Sequence, residues 1–219
     1  MTTWAIIPVK PLHESKRRLA HLLSAGARAE LIHHFLDNLL ATLNEAPGID
    51  RVLVVTGDDE VTALAESHGA AVLVEAEPRG LKEAATRGAA LAARQGATAV
   101  LILPADLPFA RVDDIERMLR PLSQWRFAVS DHRSQTADRG SLVAITGDEA
   151  EDGTNALLLA PPGDFTFHYG PGSYRAHLGE AAARGRTIHS INAPGLRFDL
   201  DTESDWLAYR DCLIQVVDE

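Results

Sequence analysis

The chain alternates short, almost wholly apolar runs with longer segments in which apolar residues recur every three or four positions. Ala5–Val9 is the first such run. Runs of this kind fit strands buried on both faces. Pro8 sits near its end, where a missing ladder donor costs least. From Arg28 to Leu43 the period changes. Leu31, Ile32, Phe35, Leu39 and Leu43 lie at helical spacing with polar residues between them, which predicts an amphipathic helix. Pro47-Gly48 stops it. The alternation continues with strands at Val52–Val55, Ala71–Val74 and Ala99–Leu103, and helices at Glu60–His68, Leu81–Arg94 and Asp113–Leu119. The second of these helices ends near Gly96, and the third is expected to close at Pro121. Strands alternating with helices imply right-handed crossovers and a mainly parallel sheet.

After about Phe127 the rhythm breaks. Strand-like pieces follow at Phe127–Ser130, Leu142–Ile145 and Ala156–Leu159 without helices between them. A helix is expected from about Tyr174 to Arg184, a strand at Thr187–Ile191 and a last helix at Thr202–Val217. Thr202 is its expected N-cap, with Asp205 supplying the acid at the third helical position. The whole chain, residues 1–219, reads as one α/β domain. The irregular stretch at about 127–175 is expected to form a subdomain over its sheet.

Composition narrows the function classes. Of 219 residues, 46% are apolar and 24% charged, ordinary values for a globular chain long enough to bury a sizeable core. The formal net charge of −10 argues against a nucleic-acid or anionic-membrane surface, which needs clustered Lys and Arg. It leaves room for a small phosphorylated substrate held by a few cations or a metal. The single cysteine, Cys212, excludes an intrachain disulfide and a thiolate zinc cluster. Its apolar setting predicts a buried structural thiol. The N-terminus has no signal-peptide pattern and no apolar run is long enough to span a membrane, so the cytoplasm is the expected location.

In open parallel sheets, ligands bind beyond the carboxyl ends of the strands. Past the first strand come Lys10 and then Lys16-Arg17-Arg18-Leu19, cations in a loop feeding a helix, which is a ready anion site. It is not a Walker loop, since the required glycines are missing. Past the fourth strand comes Leu103-Pro104-Ala105-Asp106-Leu107-Pro108. An aspartate on this Pro-bounded turn suits either Mg²⁺ or a plain turn. Near the C-terminus, Asp199 and Asp201 stand at i and i+2 in an extended segment and so face one side. Such a pair repels itself unless a cation or hydrogen bonds compensate. With Asp106 it could form a three-carboxylate metal site. Gly153-Thr154-Asn155-Ala156 and Tyr169-Gly170-Pro171-Gly172-Ser173 combine glycines with hydroxyls, as anion-binding loops do. Each could equally be an ordinary turn. The nine histidines show no metal-ligand spacing.

Taken together, these stretches resemble the guanylyltransferases of coenzyme F-420 biosynthesis, which use 2-phospholactate, phosphoenolpyruvate or 3-phosphoglycerate and are small relatives of the MobA-type nucleotidyltransferases. The resemblance rests on Ile6-Ile7-Pro8-Val9-Lys10-Pro11-Leu12, Ser15-Lys16-Arg17-Arg18-Leu19, Leu103–Pro108, Gly153–Leu158, Tyr169–Ser173 with His177, and Asp199-Leu200-Asp201-Thr202, spread over nearly the whole chain. It implies a Rossmann-like three-layer sandwich with a mixed, mainly parallel sheet, like the nucleotide-diphospho-sugar transferases. It implies GTP as donor and a phosphorylated three-carbon acid as acceptor. It assigns acceptor contacts to Lys10, Thr154, Gly170 and Ser173 and the metal, Mg²⁺, to Asp106, Asp199 and Asp201. Lys10 and Asp106 become the catalytic candidates. The nucleotide is expected against Pro8, Val9, Lys16, Arg18, Thr56, Lys82, Pro104 and Ala105, with Lys16 and Arg18 on the departing pyrophosphate.

Two departures stand out. The family usually has Leu-Asn where this chain has Leu81-Lys82, which leaves CTP open as donor. Asp131 to Asp152 looks expanded, as a longer lid, an altered acceptor pocket or a subunit contact such as a homodimer would require. Two rival readings are a MobA-like nucleotidyltransferase with another acceptor (a sugar phosphate or molybdopterin) and a non-catalytic nucleotide-binding regulator.

Overall fold

A computed structural model describes residues 1–130 and 140–217 of the chain. Seven strands form one sheet: β1 (Thr3–Pro8), β2 (Arg51–Thr56), β3 (Ala71–Val74), β4 (Ala99–Ile102), β5 (Leu142–Gly147), β6 (Thr154–Ala160) and β7 (Thr187–Ser190). Their spatial order is β3-β2-β1-β4-β6-β5-β7. β6 runs antiparallel to both β4 and β5, and all other pairs are parallel. The mixed, mainly parallel α/β sheet expected from the sequence is therefore present.

The apolar runs are continuous because both faces of the sheet are covered. In β1, Trp4 and Ile6 enter one core while Ala5 and Ile7 enter the other, the period of two that a pleated strand imposes. One core is closed by α1 (Ala25–Glu45), α2 (Asp59–Ser67) and α4 (Val112–Ser130), through Phe35, Leu39, Val61, Ile115 and Met118. Tyr209 of α7 (Glu203–Val217) completes it in a T-shaped ring pair with Phe35. The other is closed by α3 (Leu81–Arg94) and α5 (Ser173–Ala183). α6 (Pro194–Arg197) is a single turn before the C-terminal helix. α3 lays Ala84, Ala85, Gly88, Ala89 and Ala92 against the sheet, a stripe small enough for helix and strands to approach closely.

Four expectations are corrected. Pro121 lies inside α4 and does not end it. The carbonyl that loses its donor belongs to Arg117, an exposed residue where water can replace the bond. The piece Phe127–Ser130 is the end of that helix and not a strand. The 3.6-residue rhythm of Ile115, Met118, Leu119 and Leu122 carries on toward it. Thr154 and Asn155 open strand β6 instead of forming a loop. Cys212 is exposed, not buried. The C-terminal cap is as expected: Thr202 Oγ1 accepts from Asp205 N at 3.3 Å, and Asp205 Oδ2 accepts from Thr202 N at 2.6 Å. The stretch Asp131–Asp152, expected to be expanded, lies in part (131–139) outside the described residues, and no helix among those described is long and apolar enough to cross a membrane.

A Cβ added at Gly88 would meet Ile6 Cγ2 at 2.7 Å and Val55 Cγ2 at 3.2 Å. Gly88→Val should therefore destabilise the domain by about 1–3 kcal/mol through overpacking. A urea midpoint unchanged from the parent protein would refute this account of the helix–sheet contact.

Candidate functional site

The site lies where the parallel strands end. The antiparallel β6 matters here, because its first residues come to the same edge as the last residues of β1 and β4. Thr154 and Asn155 are thereby set opposite the Pro104-Ala105-Asp106 turn. A cavity of about 810 Å³ opens at this edge. Of the residues expected from the sequence, Pro8, Val9, Lys10, Lys16, Arg18, Lys82, Pro104, Ala105, Asp106, Thr154, Gly170, Ser173, Asp199 and Asp201 all line it. Thr56 does not: it is fully buried, and its hydroxyl accepts from Asp58 N at 3.2 Å to shape the turn after β2.

The loop after β1 is held by its own backbone contacts. Leu12 N donates to Asp58 Oδ2 at 2.8 Å, while Asp58 Oδ1 caps α2. Buried Arg28 donates to the carbonyls of Ser15 and Leu23 at 3.2 and 2.8 Å. Two 3-10 turns, Leu12–Glu14 and Arg17–Leu19, flank Lys16. Lys16 itself takes the left-handed conformation, φ 51° and ψ 39°, uncommon for a residue with a side chain. The consequence is that its ammonium turns inward, with the side chain 4% exposed. Lys10 is exposed.

Lys16 Nζ bridges Asp106 Oδ2 at 2.5 Å and Asp201 Oδ1 at 2.7 Å. Burial disfavours the ammonium, yet the two carboxylates outweigh it and hold the Lys16 pKa above its ordinary value. Arg18 reaches Asp201 at 3.9 Å from an exposed position, a contact of little energetic consequence. Asp199 is in the opposite situation. Burial, then the charge of Asp106, push its pKa up to about 6, against a 3.2 Å hydrogen bond from Asn155 Nδ2. Burial also acts on Asp201, but Lys16 more than offsets it and lowers the pKa.

Asp106, Asp199 and Asp201 each offer a carboxylate oxygen within 4.8 Å of the others. Asp106 Oδ1 is buried and accepts no hydrogen bond among the described residues. Three hard oxygen donors, one of them unpartnered and another held above the usual carboxylate range by burial and the charge of Asp106, fit a divalent cation.

On the far wall stand Thr154, Ser173 and Gly170. Gly172 caps α5 at φ 72° and Gly170 lies at φ 116°, conformations that favour glycine. They turn the chain so that α5 begins at Ser173, facing the cleft. Asp148 accepts from Asp152 N and Gly153 N at 2.9 and 2.8 Å, closing the turn before Thr154. Sequence reasoning gave no role of its own to Asn155, which donates to Asp199, or to Tyr169 and Glu75, which also line the cavity. Nor did it give His177 a role. Its spacing of four from Ser173 on a helix, which puts both on one face, was the available signal. His177 is fully buried, 3.0 Å from Thr154 Oγ1. Burial and the neighbouring His168 bring its pKa down to about 4, with Glu180 opposing.

The profile described as "Guanylyl transferase CofC like" matches residues 3–209. The phosphoenolpyruvate guanylyltransferase of Rubrobacter xylanophilus is 38% identical over 205 residues, covering 94% of this chain and 92% of the relative. That of Sphaerobacter thermophilus is 35% identical over 205 residues, covering 94% and 91%. Among solved structures, a protein described as a nucleotide-diphospho-sugar transferase from Desulfovibrio desulfuricans G20 is similar at TM-score 0.70 and 15% identity, covering 96% of this chain and 88% of its own. A Methanothermobacter nucleotidyl transferase is similar at TM-score 0.61 and 18% identity, covering 98% and 99%. At these identities the structures speak for the fold alone.

The Asp199 shift gives a signed prediction for metal-free protein. Its folded pKa, about 6, lies above an unfolded value of about 3.9. Between those values the unfolded state releases the proton first, so native stability falls as pH rises from about 4 to about 6. Asp199→Asn removes this penalty. Its melting temperature should gain on the parent across that window and run parallel above it. A difference independent of pH would show that Asp199 is not held protonated.

Proposed function

We propose, for a chain that belongs to the CofC-like guanylyl transferase family, that it moves GMP from GTP to the phosphate of a small phosphorylated three-carbon acid and releases pyrophosphate. The chain is a nucleotidyltransferase, and its family places it in the making of coenzyme F-420. The carboxylate cluster of Asp106, Asp199 and Asp201 facing Thr154 and Ser173 across one cleft carries this reading. It supplies a cation-seeking side and a hydrogen-bond-donating side, as the joining of two phosphates requires. The relatives' name, phosphoenolpyruvate guanylyltransferase, favours GTP as donor and phosphoenolpyruvate among the candidate acids, with 2-phospho-L-lactate and 3-phospho-D-glycerate as its close analogues.

The acceptor phosphate is already ionised near neutral pH, so one of its oxygens attacks the α-phosphorus with no general base. A P–O bond forms to the acceptor, the α–β bridge breaks, and its electrons leave with pyrophosphate. The barrier is then mutual repulsion and alignment, which positioned charges lower. Asp106, Asp199 and Asp201 would hold Mg²⁺, which when bound offsets charge on the phosphates. Lys10, Thr154, Gly170 and Ser173 hold the acceptor. Pro8, Val9, Pro104 and Ala105 frame the nucleotide, and Lys82 stands at the same wall. Lys16 and Arg18 serve the departing pyrophosphate, which asks Lys16 to exchange one carboxylate contact for a phosphate. The stretch at about 127–175 then acts as the acceptor side of the domain.

Asp106→Asn should lower turnover by at least about 10²–10³, the usual cost of one such electrostatic group, while circular dichroism and melting stay near the parent's. Full activity of this variant under saturating magnesium would remove the metal assignment. Pyrophosphate release measured with GTP or CTP and each of the three acids identifies donor and acceptor. Release with none of them, beside measurable nucleotide binding, would favour a binding protein over an enzyme.

A further inference from the structure

A buried polar relay lies directly behind the acceptor wall. The backbone N–H of His168 donates to His177 Nε2 at 2.8 Å. A neutral imidazole that accepts at Nε2 carries its proton on Nδ1. Nδ1 lies 3.0 Å from Thr154 Oγ1, so it donates there. Ser173 Oγ donates to the same oxygen at 3.2 Å. A hydroxyl oxygen has two lone pairs, and both are then taken. Thr154 is left with its own proton to offer, at the wall of the cleft, and no described residue accepts it.

We propose that His177 is a positioning residue that fixes Thr154 as an obligate hydrogen-bond donor to a fully ionised phosphoryl oxygen of the acceptor. The proposal rests on the reading above for which ligand meets Thr154. The opposite tautomer would set an Nε2–H against the His168 N–H. It would also let Thr154 donate to Nδ1 and show a lone pair to the ligand, which repels an anion. One backbone donor thus sets the polarity of this wall. The ring is locked to serve that role. It stacks on Phe165 at 5.9 Å between centroids and meets the Tyr169 ring in a T-shaped pair at 5.1 Å. The loop that carries His168 is tied down by Thr166 N donating to Glu180 Oε1 at 3.1 Å. Burial also keeps the imidazole neutral above about pH 5. The selectivity that follows is for an anion without protons to donate, and against neutral acceptors whose hydroxyls need a lone pair.

The decisive measurement is the ¹⁵N–¹H spectrum of His177 in the full chain, with inorganic phosphate as probe. The relay requires a neutral ring protonated at Nδ1, with its resonances shifted by phosphate. His177→Leu, which removes the donor, should raise the KM for the acceptor acid roughly 10–100-fold, the scale of a hydrogen bond to a charged group, and leave the KM for GTP in place. Thr154→Val should do the same, and the double variant should be no worse than Thr154→Val alone. His177→Asn, which keeps an N–H on the δ side, should recover most of the loss. An Nε2–H or charged ring, additive losses, or equal effects on both substrates would overturn the relay. If none of the acids turns over yet phosphate shifts an Nδ1–H ring, the relay stands and the acceptor reading falls. If an acid turns over while the ring is the other tautomer, the relay falls and the acceptor reading stands.

Discussion

Three carboxylates within 4.8 Å of one another cannot all stay charged in a half-dry cleft without a cation. Much of the local architecture around the first loop is explained by that demand. Lys16 meets it in part, with its ammonium between Asp106 and Asp201. Bringing a lysine there takes a left-handed backbone residue, two flanking 3-10 turns and a buried arginine that fastens the loop's carbonyls. Asp199, which has no such partner, meets the same demand by holding its proton more tightly. The two acids at i and i+2 respond oppositely to one field, because one touches the ammonium while the other is buried beside the charge of Asp106 without one.

Sheet topology decides why this field faces Thr154. In a wholly parallel sheet, every strand would start at the edge away from the ligand. Reversing β6 between β4 and β5 brings a strand's first residues to the binding edge. Side chains on a strand are held more rigidly than on a loop, and Asn155, next to Thr154, reaches across to Asp199. The reversal thus ties the carboxylate side to the hydroxyl side through one dipeptide.

The layered fold was legible in the sequence because burial on both faces leaves uninterrupted apolar runs such as Ala5–Val9, while one-sided helices leave a 3.6-residue rhythm. The Asp106 turn and the Asp199/Asp201 pair were legible because like charges close in sequence need an explanation. Pro121 misled because a helix can hydrate the carbonyl that proline orphans. Phe127–Ser130 misled because a short apolar run has no period of its own. Lys10 drew attention by standing next to the strand end, but proximity in sequence says nothing of direction: it is Lys16, six residues on, that the loop turns inward. His177 was hidden for a related reason. Its role depends on a backbone N–H from a separate loop, and no spacing rule registers that contact.

The two sides of the cleft make different demands on the same substrate, and this constrains the order in which charge must be handled. On the proposed reading, an incoming nucleotide brings phosphates toward a centre whose carboxylates Lys16 only partly offsets. It becomes attractive to them only when a metal joins the carboxylates or Lys16 turns its ammonium from a carboxylate to a phosphate. The acceptor wall needs no such exchange, since Thr154 is polarised in advance by Ser173 and His177, which stay buried. A preset wall opposite a rearranging centre lets the acceptor be held in line while the charges around the nucleotide are still settling. The exposed Lys10, free of the cluster, then remains able to follow the phosphate being transferred. The pairing of one rigid side with one adjustable side follows from burial. His177 and Ser173 are out of water and keep one arrangement, whereas Asp201, half-exposed, can exchange Lys16 for another partner.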